Sequence, residues 1–383
     1  MSDQSLQPIL MTPGPVALHP KVRESLSWPM IHHRTKQFED IFVETLSQLR
    51  LIFQTEQPCF ILSSSGSGGM EALLVNTTAP GDRILVINSG KFGERWLKMA
   101  QRLKGTYVYN LEVPWGEAVC LNTLEALLNK EKPNIILTQA CETSTGVWHP
   151  IESISDLIKK HCPNALLLVD GITALGATHV PMDLWGIDGL VGGSQKGFML
   201  PTGLAFVSLS QRAWHKAEKI TSPSYYFDLK AEKEANKKGQ SNFSAPVTLI
   251  RSLNIALKII LDYGIHNYFQ RVETIANHTR KCLQLLGLEG FTQSPSPTLS
   301  TFRVTQADRF RQFLEDQYQV TIMSGQDHLK DQIIRIGHMG YLTAQNVKES
   351  LFRIKNALQD LSYPIKNESL FTQEVEKIRL PDF

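Results

Sequence analysis

Gly192-Gly193-Ser194-Gln195-Lys196-Gly197, closed by Pro201, Thr202 and Gly203 before the apolar run Leu204-Ala205-Phe206-Val207, is the stretch on which the reading of the chain turns. A single lysine lies between glycines, after the short apolar run Gly189-Leu190-Val191 and ahead of a β-like run. That pattern predicts a lysine held on a tight turn at the end of a strand. In a desolvated pocket its ammonium is disfavoured, so the neutral amine can attack a carbonyl and form a Schiff base. Taken alone, such a lysine is an ordinary surface-loop residue. Its neighbours along the chain decide between the two.

Working outward toward the N-terminus, strand-like runs alternate with helical ones. Ala165–Val169 reads as a strand ending in Asp170-Gly171, preceded by a helix at Ile154–His161 and by a strand at Asn134–Gln139. Asn122 with Glu125 reads as a capping box opening a further helix. Arg83–Asn88 and Thr106–Val113 read as strands flanking a helix from about Phe92 to Lys104. Cys59–Leu62 is a short buried strand, followed by Ser63–Gly69 and a helix from Met70 to Thr77. Strand, glycine-rich turn and helix in that order can cradle a phosphate, because free N–H groups and the helix dipole converge there. The turn lacks the third glycine of a dinucleotide fingerprint, Glu71 standing in its place, and it lacks the Gly-Lys-Ser/Thr of a Walker loop. A small phosphate or a plain strand-to-helix connection stays open on this motif.

A helix with one apolar stripe spans Thr35–Thr55, and residues 8–20, rich in proline, read as an extended arm of the kind that lies over a neighbour. Toward the C-terminus, the charged stretch Tyr225–Ser241 reads as a solvated excursion. Two long helices, about Val247–Tyr263 and His266–Leu286, come next. Beyond them the pattern is strand Thr298–Val304, helix 307–317, strands Val320–Met323 and Ile333–Gly337, and a last helix over 343–360. The whole reads as an α/β chain with a mostly parallel sheet covered on both faces, whose ligands sit beyond the carboxyl ends of the strands. Three parts are expected: an arm at 1–20, a large domain at 21–263 and a smaller α/β domain at 264–383.

Composition narrows the function classes. With 383 residues, 42% hydrophobic, 20% charged and a net charge of +2, the chain lacks the one-sided charge of a nucleic-acid binder. Its aliphatic runs fall far short of the roughly 18 residues of a membrane span. No apolar leader stands at the N-terminus, so a cytoplasmic protein is expected. The five cysteines, Cys59, Cys120, Cys141, Cys162 and Cys282, lie far apart without a CxxC pair, which reads as reduced thiols and no cluster. The adjacent His32-His33 has no acidic cluster nearby and reads as structural, with no metal.

Seven motifs occur in order: Thr12-Pro13-Gly14-Pro15, His33-Arg34-Thr35, Ser65–Gly68 with Met70-Glu71-Ala72, Glu142–Gly146, Val169-Asp170, Gly193–Lys196 and Ile334–Gly337. Over nearly the whole chain they resemble the class V aminotransferases, fold-type I enzymes using pyridoxal phosphate (PLP). The nearest branch in resemblance is that of the alanine–glyoxylate and serine–glyoxylate aminotransferases. The resemblance implies that Lys196 holds PLP as a Schiff base and moves the proton between Cα and the cofactor. It implies that Asp170 pairs with the ring nitrogen. Ser65, Gly66 and Ser67 would bind the phosphate with Gln195, while Phe92 and Ile172 would cover the two ring faces and Thr143 would meet the ring hydroxyl. Many relatives carry Trp where Phe92 stands. Ser244 would reach the phosphate of the second subunit in a homodimer, although Ser241 stands where some relatives carry Tyr. Arg335 would clamp the substrate carboxylate by a two-pronged hydrogen bond.

The implied reaction moves an amino group from alanine or serine to a 2-oxo acid, glyoxylate being expected. An aminophosphonate–pyruvate aminotransferase shares the Thr-Pro-Gly-Pro opening. A soluble-hydrogenase subunit, a label some relatives have carried, would make the chain a non-enzymatic partner. A cysteine desulfurase would carry His before the lysine, where this chain has Gln195, and a reactive loop cysteine, where Cys282 lies in a helical pattern.

Overall fold

The computed structural model describes residues 6–382. Seven strands form the central sheet in the spatial order Cys59–Leu62, Ala205–Leu209, Gly189–Gly193, Leu166–Asp170, Ile135–Gln139, Arg83–Asn88 and Tyr107–Glu112. Ala205–Leu209 runs antiparallel to both of its neighbours, Val207 standing opposite Val191 and Phe60, and the remaining strands are parallel. Leu166-Leu-Leu-Val-Asp170 is buried throughout because helices cover both faces, which is why the run is apolar without alternation. The glycines of Gly189–Gly193 leave room for this packing. A Cβ at Gly189 would stand 2.6 Å from Leu168.

The five strand-end loops that lead to Ser65–Ser67, Phe92, Thr143, Asp170–Ile172 and Gln195–Lys196 leave the sheet at the same edge. Six parallel strands point there, and the single antiparallel one returns the chain away from it. A second sheet of four short strands holds Glu289–Gly290, Leu299–Arg303, Ile333–Gly337 and Met323–Ser324, in that order. Helices Ala307–Tyr318 and Ala344–Asp360 pack with it into a separate core around Phe302, Phe310, Ile334 and Leu351. Helix Val247–Tyr263 belongs to the large core through Leu253 and Leu257. Helix Ile265–Leu285 serves both, with Tyr268 and Val272 in the large core and Ile275 and Leu283 in the smaller one. We therefore propose 264–383 as the second domain, with this helix as the shared wall.

Several local expectations are corrected. The N-terminal arm lies on its own chain: Ile9–Leu10 pairs in parallel with Val320–Thr321, and Gly337 N donates to Met11 O at 2.8 Å. The helix after the glycine-rich turn begins at Gly66 and not at Met70, with Ser65 as its N-cap residue. A Cβ at Gly69 would stand 2.6 Å from Val191, so glycine there lets this first turn lie on the sheet. The helix beginning near Phe92 ends at Ala100, short of Lys104. The Asn122–Glu125 capping box does not form, because the helix starts at Leu121 and Glu125 is drawn to Lys160 and His161 of the neighbouring helix, at 3.2 and 2.7 Å.

The charged stretch Tyr225–Ser241 contains a packed helix, Leu229–Asn236, capped by the Asp228 side chain. Leu229 is buried under Asn76, whose side chain bonds Leu229 N and Phe227 O, and the buried Glu232 accepts from Asn242 N at 2.9 Å. The run Val320–Met323 splits between two sheets, and a further helix, Glu368–Glu376, follows the one over Ala344–Asp360.

Candidate active site

Lys196 stands just past the strand Gly189–Gly193, buried to 7% exposure. Its Nζ donates to Pro13 O of the N-terminal arm at 2.5 Å. Gly14 has a φ of +118°, and a Cβ there would fall on the lysine side chain. The Thr12–Pro15 turn therefore roofs the lysine, and glycine at 14 is required by backbone geometry and by space together. From below, Tyr268 Oη donates to Gly197 O at 3.3 Å and steadies the turn. Burial pushes the Lys196 ammonium down to about 8; Arg335 and Arg95 add to the effect, while Cys141 and Asp170 oppose it.

Asp170 ends the strand beside that of Lys196 and is 4% exposed. Burial pushes its carboxyl up to about 7, against the Ile172 N–H, which donates to Oδ1 at 2.8 Å. Asp170 and Lys196 stand at the ends of adjacent strands, and each feels the other's charge. The pair consists of two groups poised close to neutrality by the same cause, the removal of water.

Arg335 lies on the strand Ile333–Gly337, between two other strands and buried to 7% exposure. Nε donates to Ser324 O at 2.9 Å and Nη1 to Thr143 O at 3.0 Å. Two backbone carbonyls from different domains thus fix the guanidinium plane. Burial lowers its pKa to about 10, countered by Glu142. Thr143 itself is buried, its hydroxyl donating to Thr173 Oγ1 at 2.7 Å.

The remaining expected residues sort into neighbours and one outlier. Ile172 packs against Gly66, where a Cβ would stand 2.5 Å from its Cδ1, and also approaches Gly193. Gln195 comes close to the same glycine, and its Oε1 is buried without a hydrogen-bond partner. Ser65 is exposed and makes no side-chain capping bond, leaving the first N–H groups of its helix open. Ser67 Oγ accepts from Arg95 Nη1 at 2.7 Å. Phe92, half-buried, opens the helix Lys91–Ala100, and the Arg95 guanidinium lies 4.7 Å from its ring centre. Ser244 stands apart from this group, exposed on the segment before the helix Val247–Tyr263.

Two residues of the pocket had no role in the sequence reading. Glu142, fully buried, accepts from Phe92 N, Gly93 N and Ser144 N and from Ser144 Oγ, and so pins the start of the Phe92 helix to the Thr143 loop. Its motif was visible in the sequence; its partners, fifty residues away, were not. Arg95 lies three residues after Phe92, a spacing that puts both side chains on one helix face and could have flagged it.

A neutral-capable amine beside a buried carboxylate can attack a carbonyl and move protons, and an aimed guanidinium fork can hold a carboxylate. Residues 22–349 match the family model for aminotransferase class-V. The chain is 35% identical over 93% of its length, and 94% of the other, to a protein of Anabaena cylindrica named soluble hydrogenase 42 kDa subunit. It is 32% identical to an L-aspartate–glyoxylate aminotransferase of Paracoccus denitrificans, over 94% of this chain and 93% of that one. Among solved structures, an alanine–glyoxylate aminotransferase from Nostoc sp. matches with a TM-score of 0.87 at 28% identity, covering 94% of this chain and 99% of the other.

Proposed function

The chain belongs to the class-V aminotransferases, and from that footing we propose that it moves an amino group from alanine or serine to glyoxylate, with Lys196, Asp170 and Arg335 as the working residues. The family and fold use PLP. The observation that supports the residue assignment is that Lys196, buried under Pro13, feels the charges of both Asp170 and Arg335, which are buried as well. The pocket suits the cofactor. Gln195 carries an amide NH2 that can donate to a phosphate oxygen, the helix after Ser65 offers open N–H groups, and Asp170 Oδ1 accepts from one N–H and can pair with a cation.

Bound PLP supplies a reactive aldehyde carbon and an electron-accepting ring. Lys196 would hold the cofactor at that carbon, its lowered pKa making the neutral amine available near neutrality. Its Nζ, buried beneath the Thr12–Pro15 turn, would serve as the base that holds a proton taken from substrate Cα and returns it. Asp170 would pair with the ring nitrogen and keep it protonated, a cation there offsetting the burial that raises its carboxyl. Thr143 would meet the ring hydroxyl, Phe92 and Ile172 would cover the ring faces, and Ser65, Gly66, Ser67 and Gln195 would take the phosphate. Arg335 holds the substrate carboxylate and so fixes the Cα–H bond for removal.

The acceptor is assigned from the relatives, whose named donors differ while glyoxylate recurs. A small donor is favoured because Arg335 is the only carboxylate clamp assigned. The hydrogenase name of the Anabaena protein leaves such a pocket without a use. We also propose a homodimer in which Ser244 faces the partner's pocket. Exposed Trp28, Met30 and Tyr225 on neighbouring segments support that reading, and sedimentation at assay concentration tests it.

Glycine formation from glyoxylate, with alanine or serine as donor and PLP present, tests the reaction. The reading fails if glyoxylate accepts no amino group while 2-oxoglutarate or a phosphonoaldehyde does so readily.

A further inference from the structure

The proposed phosphate cradle, Ser65-Gly66-Ser67, contains no cation, although a phosphate monoester carries about −1.5 to −2 charges at neutral pH. The N-terminus of the helix Gly66–Thr77 contributes only about half a positive charge. Burying the phosphate end on hydroxyls and N–H groups alone would leave most of that charge unbalanced.

Arg95 is a cation in direct contact with that turn. It is half-buried on the helix Lys91–Ala100, and its Nη1 already touches the cradle at Ser67 Oγ, 2.7 Å away. It forms no ion pair among the described residues, and the neighbouring acids are engaged elsewhere. Glu94 faces Lys98 and Lys91 at 3.2 and 3.5 Å, and Glu142 is filled by the N–H groups of Phe92, Gly93 and Ser144. The guanidinium rests 4.7 Å from the centre of the Phe92 ring, which sets its direction, and its charge is felt at both Asp170 and Lys196. A half-buried arginine with a hydroxyl and an aromatic ring as its partners, aimed at the mouth of an open helix N-terminus, is arranged for an anion.

We propose that Arg95 is the counter-ion of the cofactor phosphate, contributing the charge that the Ser65–Ser67 turn lacks. The proposal rests on the reading of that turn as the phosphate end of the PLP site. It separates two tasks along the Lys91–Ala100 helix, with Phe92 holding the ring and Arg95, one turn on, holding the phosphate.

Cofactor-free protein titrated with PLP and with pyridoxal, which lacks the phosphate, tests this by tryptophan quenching and visible absorbance. Arg95→Gln is expected to weaken PLP binding roughly 10- to 100-fold, the span of a charge-assisted hydrogen bond, and to change pyridoxal binding less than threefold. Arg95→Lys keeps the charge without the fork and is expected to fall between, which preserves the test if the glutamine variant folds poorly. Inorganic phosphate should raise the melting temperature of the cofactor-free wild type more than that of either variant. Equal losses for PLP and pyridoxal would show a merely supporting role for Phe92 and overturn the proposal, as would an unchanged PLP affinity or a change confined to the KM of a dicarboxylic donor. If the wild type itself takes up PLP without a visible band, it is the underlying reading of the site that fails.

Discussion

Lys196→Met should make the cofactor-free protein more stable at neutral pH and lose that advantage in alkali. The lysine's folded pKa, about 8, lies below the ordinary 10.5, so between these values the unfolded chain binds more protons than the folded one. Stability therefore rises with pH across that window. Below about 8 the folded protein bears the full cost of desolvating the ammonium. At about 1.4 kcal/mol per pH unit, that is about 3 kcal/mol at pH 7, falling below about 1 kcal/mol near pH 10. Methionine fills similar space without a charge but forgoes the bond to Pro13 O, a loss of about 1 kcal/mol. The net gain is about 2 kcal/mol at pH 7. Urea denaturation of wild type and variant at pH 7 and pH 10 measures both arms, and titrations of groups remote from Lys196 cancel in the difference. A variant no more stable at pH 7, or a gap that stays constant between the two pH values, would refute the burial argument for this lysine.

Asp170→Asn should still bind PLP but lower kcat by roughly 100- to 1000-fold, since an amide cannot hold a proton on the ring nitrogen; unchanged steady-state kinetics would remove Asp170 from the reaction. Arg335→Lys should raise KM for the amino donor and lower kcat together, because a point charge attracts the carboxylate but loses the fork aimed by Ser324 O and Thr143 O. A rise in KM alone would mean that orientation is set elsewhere.

The parallel sheet was readable because strands such as Leu166–Asp170 and Ile135–Gln139 are buried on both faces and must be apolar throughout. Lys196, Asp170 and Thr143 were readable for a related reason: strand ends are where such a sheet admits polar residues. What escaped depended on partners distant in sequence. The helix Leu229–Asn236 has the composition of a solvated stretch, and only the grip of Asn76 on Phe227 and Leu229 shows that it packs. The capping box at Asn122 was lost to Lys160 and His161, which no local pattern reveals. The spacing of Arg95 from Phe92 was visible in the sequence, but its contact with Ser67, on another helix, was not. Ser244 is of another kind: it is exposed in the single chain, and the role proposed for it lies across a subunit boundary.

The central claim, that Lys196 is the residue to which PLP is joined, is open to one direct measurement. Protein incubated with PLP and treated with borohydride fixes the cofactor on whichever lysine holds it, and peptide mass mapping then reads the position. A single modified peptide carrying Lys196, absent when alanine is added before the reductant, is the expected result. Label on another lysine, or scattered over the exposed ones with Lys196 unmodified, would contradict the account.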